Sequence, residues 1–494
     1  MAFPRAAGVL LHPTSLPSPG GIGDLGPDAH RFVEWMAGVG LRLWQVLPLG
    51  PTGYGDSPYQ CFSAFAGNPL LIHVPGFGVS APTITDAAHV DFATVIPAKR
   101  AALDAWLDAL PYDTTIRAFV EQESQWLPDY ALFMAIKGAQ GGAAWTEWPR
   151  ELADRQPDAL TTARRTLQTE MQRCYKEQFV FHSQLRALRE QCATYGIQLM
   201  GDVPIYVAHD SADVWAHREL FQLHPDGSLI VQAGVPPDYF SATGQLWGNP
   251  LYTWQYMEDN DFRWWTARMR AAFRQFDVVR LDHFRGFAAY WEVPGDADTA
   301  VNGRWVDGPG QSLFDALTRA LGPLPIIAED LGLITPDVAA LRDACGFPGM
   351  AILQFAFAGE SSEFLPHRFV RNLVVYTGTH DNDTTMGWWQ STGGDSTRAL
   401  DEVMEEKARA LRYLGVDTTA DAAPEMHWTL MRAAMASVAN TVLVPMQDVL
   451  GLGNDARMNM PGRTSGNWSF RFTWEQLTAD ITTRLRDLVR TYER

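Results

Sequence analysis

Eight short apolar runs recur along this chain of 494 residues, and most of them end in polar or charged residues that lead into a loop. The runs are 8–12 (GVLLH), 41–48 (LRLWQVLP), 198–203 (QLMGDV), 277–282 (DVVRLD), 325–330 (PIIAED), 349–355 (GMAILQF), 373–379 (LVVYTGT) and 441–448 (TVLVPMQD). Runs of this length are typical of strands that are buried in a parallel sheet. Helical patterns, such as residues 29–39 and 400–414, lie between several of the runs. This alternation predicts parallel strands joined by right-handed crossovers.

Eight runs favour one α/β fold, the (β/α)8 TIM barrel. We expect it to span residues 1–494 as a single catalytic domain. The alternative is an open, doubly wound sheet that binds a dinucleotide, because Gly21, Gly23 and Gly26 have the GxGxxG spacing. That motif begins nine residues after His12 rather than at a strand end, and no acid closes the second run to hold a ribose. The barrel is therefore the favoured fold.

Two connections between the runs are too long for one helix. Residues 70–197 contain helical patterns at 101–110 and 161–195, and they predict a mainly helical insertion between strands two and three. Residues 208–276 are rich in Trp, Gly, Pro and Asn, which is loop composition. A loop at that point lies over the C-terminal rim of a barrel, where barrel enzymes have their active sites.

Composition excludes several classes of function. The 39 basic and 57 acidic residues give a net charge of −18, so the chain would be repelled by nucleic-acid phosphates and by anionic membrane surfaces. The four cysteines form no CxxC pair, and the Asp-rich pattern of a calcium loop is absent from the sequence. The first residues do not have the apolar core and cleavage site of a secretory signal, and no uncharged apolar stretch reaches about 18 residues, so we expect neither a signal peptide nor a membrane span. We expect a cytoplasmic protein without a metal, a cofactor, a nucleic-acid partner or a membrane partner.

Acidic residues recur at the ends of the later runs. They are Asp202, Asp282, Glu329, Asp330, Asp381 and Asp448. In a barrel these positions meet at one rim, where like charges repel and burial penalises the ionised form, so a cluster needs a reason. The reasons that the pattern leaves open are metal binding, glycosyl transfer between two carboxylates, and structural roles as helix caps or ion-pair partners.

Three neighbours of these acids add to the pattern. Arg280 and Asp282 stand at i and i+2 on one strand, so they face the same side, and the arginine favours the ionised form that suits a nucleophile. His283 follows Asp282, and His380 precedes Asp381. Both histidines could donate hydrogen bonds to sugar hydroxyls. The alternative for each is a rim histidine with a protein partner. Neither has a second histidine at metal-ligand spacing.

With these residues in view, the chain resembles the 4-α-glucanotransferases, also called amylomaltases or disproportionating enzymes, of glycoside hydrolase family seventy-seven in the α-amylase clan. The motifs that carry the resemblance are HPTSL at 12–16, GYGDSPY at 53–59, SAFAGNP at 63–69, GDVPIYV at 201–207, GVPPDYF at 234–240, QLWGNP at 245–250, VRLDHFR at 279–285, IAEDLG at 327–332, TGTHDN at 377–382, ARMNMPG at 456–462 and GNW at 466–468. They cover nearly the whole chain in order. Val207 stands where an α-amylase would have histidine, which speaks against a plain α-amylase.

The resemblance implies three catalytic residues. Asp282 matches the nucleophile, Glu329 the general acid/base, and Asp381 the acid that stabilises the oxocarbenium-like transition state. A retaining mechanism through a covalent glucosyl-enzyme would place the carboxyl groups of Asp282 and Glu329 roughly 5–5.5 Å apart.

The resemblance also implies residues that bind substrate. Arg280 would keep the nucleophile ionised, and His283 and His380 would contact the sugar at the cleavage point. Asp202 would lie close to the donor sugar. The residues implied to line the glucan groove are Ser57, Tyr59, Trp247 and Asn459. Tyr54 resembles an aromatic residue of a secondary glucan site.

The function that this resemblance implies is transfer of an α-1,4-glucan segment to the 4-hydroxyl of another glucan or of glucose. The expected partners are maltooligosaccharides, amylose, starch or glycogen. Transfer instead of hydrolysis requires that water is kept from the intermediate, and segments 236–250 and 453–467 are the predicted shield. The alternatives are an α-amylase-type hydrolase and a glucan-binding barrel without activity.

Overall fold

The computed structural model describes residues 3–77, 86–237, 241–332, 334–393, 400–416, 425–463 and 465–494. Each of the eight apolar runs contains or overlaps a strand, here labelled β1 to β8 in chain order. The strands are Ala6–Leu10 (β1), Leu43–Gln45 (β2), Gln198–Val203 (β3), Val278–Leu281 (β4), Ile326–Ala328 (β5), Gly349–Ile352 (β6), Leu373–Tyr376 (β7) and Thr441–Pro445 (β8). All pairs in this sheet are parallel, in the order β6-β7-β8-β1-β2-β3-β4-β5.

The sheet curves until its two end strands meet. The amide of Ala328, at the end of β5, donates a hydrogen bond of 3.0 Å to the carbonyl of Pro348, just before β6. One cluster of buried side chains draws at least one member from every strand, as expected for the filled interior of a barrel. Its members on the strands are Ala6, Leu43, Met200, Val278, Ile327, Met350, Ile352, Val374, Tyr376 and Leu443. The predicted (β/α)8 barrel is confirmed.

The glycine motif does not form a phosphate loop after a strand. Gly26 caps helix Pro27–Val39, and a Cβ at Gly26 would lie 2.4 Å from Nδ1 of His73. A Cβ at Gly23 would lie 1.9 Å from the carbonyl oxygen of Pro13. These glycines are explained by close packing, and the doubly wound alternative is wrong.

Helices lie between the barrel strands and in the long connection before β3. In that connection they are Phe92–Ala109, Thr114–Gln122, Leu127–Ala139, Arg150–Ala153, Pro157–Thr166 and Gln168–Thr194. The pattern at 161–195 is thus divided between two helices. Elsewhere the helices are Pro27–Val39, Ala212–Ala216, Trp254–Asp259, Arg263–Gln275, Gly310–Leu321, Pro336–Cys345, Thr385–Gln390, Leu400–Leu414, Met426–Ala436, Met446–Val449 and Ala479–Thr491.

The segment 208–276 contains more regular structure than its loop composition indicates. Its strands Val231–Val235 and Gln245–Pro250 join Ala289–Pro294 and Arg304–Asp307 in a four-stranded antiparallel sheet. The strands carry Gly, Pro and Trp and lack a clean alternation of apolar and polar residues, so a strand pattern was not visible there. No helix in the described part of the chain is long and apolar enough to span a bilayer.

Candidate active site

Three of the four predicted site acids lie at the ends of neighbouring barrel strands, and the fourth follows a strand further round the barrel. Asp202 is the penultimate residue of β3, while Asp282 and Glu329 come directly after β4 and β5. Asp381 lies in the loop after β7. Because the C-terminal ends of parallel barrel strands share one rim, the folding of the sheet itself brings these acids to the same mouth.

Arg280 links two of the acids. Its Nη1 lies 2.6 Å from Oδ2 of Asp202 and 2.9 Å from Oδ1 of Asp282. Burial alone would lower the pKa of the guanidinium, but the charges of Asp202 and Asp282 hold that pKa well above its ordinary value. The arginine is therefore a permanent positive charge beneath both carboxylates.

Asp202 is fully enclosed, since its side chain has 0% exposure. Its Oδ2 also accepts a hydrogen bond of 2.9 Å from the hydroxyl of Tyr59. Burial raises the pKa of Asp202 to about 7, and the charge of Asp282 adds to this rise while Arg280 opposes it. Asp202 thus holds Arg280 and Tyr59 in place from behind the groove.

Glu329 has both carboxylate oxygens fixed by backbone amides. Oε2 accepts from the amide of His283 at 2.7 Å, and Oε1 accepts from the amide of Leu331 at 3.0 Å. His283 has a left-handed backbone (φ 51°), an uncommon conformation for a residue with a side chain, and this turn follows β4 at once. Burial raises the pKa of Glu329 to about 7, with a further rise from the charge of Asp282. Glu329 can therefore hold a proton near neutral pH.

Asp381 is oriented by two side chains. Nδ2 of Asn459 donates a hydrogen bond of 2.6 Å to Oδ1 of Asp381, and Nε2 of His380 lies 3.3 Å from Oδ2. Burial lowers the pKa of His380, so the ring is neutral near pH 7. The side chain of Asp381 is 46% exposed and faces solvent more openly than the other acids.

Aromatic rings flank the acids. Tyr59 stacks on His380 with a centroid separation of 5.2 Å, and Trp468 packs against both of them at 5.8 and 6.0 Å. Trp247 meets His283 edge to face at 4.8 Å. Flat apolar faces beside ionisable groups suit the alternating faces and hydroxyls of a sugar chain.

Comparisons with known proteins agree with this geometry. The family described as 4-alpha-glucanotransferase matches residues 11–478. The 4-alpha-glucanotransferase of Thermus thermophilus is 47% identical over 517 aligned residues, which cover 100% of both chains. The chain belongs to the 4-α-glucanotransferase family. The Synechocystis 4-alpha-glucanotransferase is 45% identical, with 99% of this chain and 98% of that protein covered.

Two solved structures of amylomaltases have the same fold. The amylomaltase of Streptococcus agalactiae, in complex with acarbose, superposes with a TM-score of 0.93 at 38% identity and 99% coverage of both chains. The amylomaltase of Corynebacterium glutamicum superposes with a TM-score of 0.79 at 18% identity, over 98% of this chain and 75% of that one. At that identity the second comparison shows the fold alone.

Two predicted binding residues lie on one loop of this 4-α-glucanotransferase family member. The hydroxyl of Ser57 accepts a hydrogen bond of 3.3 Å from the amide of Tyr59, which supports the turn that presents the tyrosine. Tyr54 is 62% exposed, and its hydroxyl donates to Asp210 at 3.1 Å. Asp210 is in turn paired with Lys137 at 2.6 Å. Tyr54 therefore lies beside a different ion pair from the one at Arg280.

Two of the strand-end acids have structural partners instead. Asp330 accepts the amide of Met350 at 2.7 Å and pairs with Arg342. Asp448 is buried and accepts hydrogen bonds from the hydroxyl of Thr377 and the amide of Thr385, at 2.6 and 2.7 Å. For Asp330 and Asp448 the structure therefore shows the structural role that the sequence pattern left open, as partners in hydrogen bonds or an ion pair.

Two further members of the site, Trp468 and Arg457, are not indicated by any spacing in the sequence. Trp468 completes the aromatic wall, and Arg457 donates to the carbonyl oxygens of Asp381 and Asn459. Both residues stand in motifs that carry the family resemblance, ARMNMPG and GNW, so the motifs pointed to these segments. The motifs did not show which residues these two side chains contact. Among the described residues, no group of three or more His, Cys, Asp or Glu side chains is arranged to hold a metal ion.

Proposed function

We propose that this chain acts as a 4-α-glucanotransferase in which Asp282 is the nucleophile, Glu329 the general acid/base and Asp381 the acid that stabilises the transition state. The observation that carries the proposal is the contrast between two neighbouring carboxyl groups. Asp282 forms an ion pair with Arg280, whereas Glu329 is half-buried and has its pKa raised to about 7 by desolvation. One group is arranged to attack as a carboxylate, and the other is arranged to give a proton.

In the first half of the reaction, Asp282 attacks the anomeric carbon of an α-1,4-glucan donor. The bond from that carbon to the glycosidic oxygen breaks, and the proton of Glu329 goes to the departing oxygen. Asp381 faces the positive charge that develops on the sugar ring. The product is a β-linked glucosyl ester of Asp282 and a shortened glucan that leaves.

In the second half, Glu329 is ionised and takes the proton from the 4-hydroxyl of an acceptor. That oxygen attacks the anomeric carbon, the ester bond to Asp282 breaks, and the α-linkage is restored. The acceptor is another glucan or glucose. Two inversions at the same carbon give net retention.

Transfer requires that an acceptor sugar reaches the ester before water does. We place the shield in segments 236–250 and 453–467, because each contributes a residue beside the acids, Trp247 and Asn459 respectively. Residues 238–240 and 464 of these segments lie outside the described residues. We also keep a cytoplasmic location as a prediction, which fractionation of cells would test.

Incubation with maltotriose tests the function directly. A transferase converts it into a ladder of longer and shorter maltooligosaccharides while the number of reducing ends stays constant. A rising number of reducing ends would identify a hydrolase, and binding without any product would identify a glucan-binding barrel. Labelled glucose should enter the ladder if glucose serves as acceptor, and the Asp282→Asn protein is the matched inactive control.

A further inference from the structure

A second cavity, of about 540 Å³, lies away from the catalytic acids. Its walls come from the helix Leu127–Ala139 of the long connection before β3 and from the helices Trp254–Asp259 and Arg263–Gln275 before β4. The described lining residues include none of the three catalytic acids. The volume is within the range of about 300–1,000 Å³ that is usual for ligand pockets.

Aromatic side chains provide apolar surface in this cavity. Tyr256 is 41% exposed and lines the cavity, so part of its ring is open to a ligand. Trp126 and Trp264 also line the cavity, and Phe65 fixes both by ring contacts of 6.1 and 5.9 Å. The apolar part of the wall is therefore held in place before any ligand arrives.

The polar part of the wall combines charged side chains with neutral amides. Acidic residues outnumber arginines among the lining residues. The acids are Asp129, Asp213, Glu219 and Asp261, and the arginines are Arg263 and Arg270. Asp129 and Asp261 pair with arginines outside the lining, Arg155 and Arg319, so the wall has little net charge to attract an ionic ligand. The amides of Gln125 and Asn260 can both donate and accept, as a neutral ligand with many hydroxyl groups requires.

We propose that this cavity is a second binding site for a segment of α-1,4-glucan, separate from the catalytic groove. The identity of the sugar rests on the proposed function. Ser63 and Phe65 belong both to this wall and to the wall of a smaller cavity that Tyr59 and Asp202 line. A glucan held here would thus lie behind the chain segment that presents Tyr59 to the active site, and a long substrate could be retained on the enzyme between transfers.

Calorimetric titration with maltohexaose tests the site in the full-length Glu329→Gln protein, which keeps the groove but not the acid. We expect at least two equivalents to bind, one in the groove and one in this cavity. Adding Tyr256→Ala should weaken one of them about fivefold, because one aromatic face is lost. The matched control is Tyr195→Ala, since Tyr195 is 40% exposed and does not line this cavity. A single equivalent in every protein would overturn the proposal.

A second variant fills the cavity instead of trimming it. Ala320 is exposed and lines the cavity, so Ala320→Trp should abolish the second equivalent of maltohexaose. In the enzyme with Glu329 intact, it should also lower the ratio of kcat/KM on amylose to kcat/KM on maltotriose. An unchanged stoichiometry with Ala320→Trp would contradict the site. A chain that binds two equivalents but never disproportionates maltotriose would refute the proposed function and leave this site standing.

Discussion

The proton on Glu329 leads to a prediction about the pH dependence of the reaction. The rise of its pKa from 4.5 to about 7 corresponds to about 3 kcal/mol of disfavoured ionisation. At pH 7 about half of the molecules carry the proton, whereas about one in 300 would do so at the ordinary pKa. Because the protonated form is the active one, kcat/KM for maltotriose should be constant below about pH 6. It should then fall about tenfold per pH unit above pH 7.

The assay compares two donors between pH 5 and pH 9. Maltotriose has a leaving group that needs a proton, but fluoride leaves maltotriosyl fluoride without one. The alkaline fall should be present for maltotriose and absent for fluoride release. Glu329→Gln should lose about a thousandfold on maltotriose and stay within about tenfold of the unaltered enzyme on the fluoride. The same alkaline fall with both donors, or near-normal activity of Glu329→Gln on maltotriose, would refute the assignment.

Three further variants separate the roles of neighbouring groups. Arg280→Met leaves Asp202 and Asp282 without their counter-charge, so we expect the protein to lose about 3 kcal/mol of stability and its activity. An unchanged melting temperature would contradict the role of this ion pair. Asp448→Asn removes the oxygen that accepts hydrogen bonds from the hydroxyls of Thr377 and Thr385, so the free energy of unfolding should fall by about 2 kcal/mol. The kcat/KM should stay within about twofold. A thousandfold loss of kcat/KM would instead place this acid in the mechanism. Trp247→Ala should lower kcat/KM on maltotriose about tenfold with little change in melting temperature, and unaltered kinetics would remove it from the groove.

The barrel could be predicted from the sequence because its strands are buried, and burial leaves continuous apolar runs. The antiparallel sheet that holds Trp247 could not, since a strand such as Gln245–Pro250 is partly exposed and carries Gly and Pro. The sequence also indicated where acids would collect, through the position of each acid after a strand. It did not show how neighbouring acids divide their roles.

Glu329 and Asp330 illustrate this division. They are adjacent, so extended backbone points their side chains to opposite sides. Glu329 accepts hydrogen bonds from backbone amides of loops at the mouth of the barrel. Asp330 instead pairs with Arg342 and accepts a hydrogen bond from the amide of Met350. The partners come from distant parts of the chain, so no local pattern distinguishes a catalytic acid from a structural one.

The site at the mouth depends on the same kind of distant contact. Asn459 reaches Asp381 across 78 positions of sequence, and Trp468 reaches Tyr59 from near the other end of the chain. The family motifs named these segments, but only the folded chain shows which atoms meet. Asp202 was expected close to the donor sugar, and only the folded chain shows that its unexposed side chain contacts Arg280 and Tyr59.

The most direct measurement is mass spectrometry of the enzyme after reaction with a fluorinated maltotriosyl fluoride, which forms the glycosyl ester quickly and releases it slowly. Digestion should yield one labelled peptide, with the sugar on Asp282 and none on Asp202 or Asp381. An enzyme that turns over maltotriose yet carries the label on another residue, or forms no ester and inverts the anomeric centre, would contradict the double displacement.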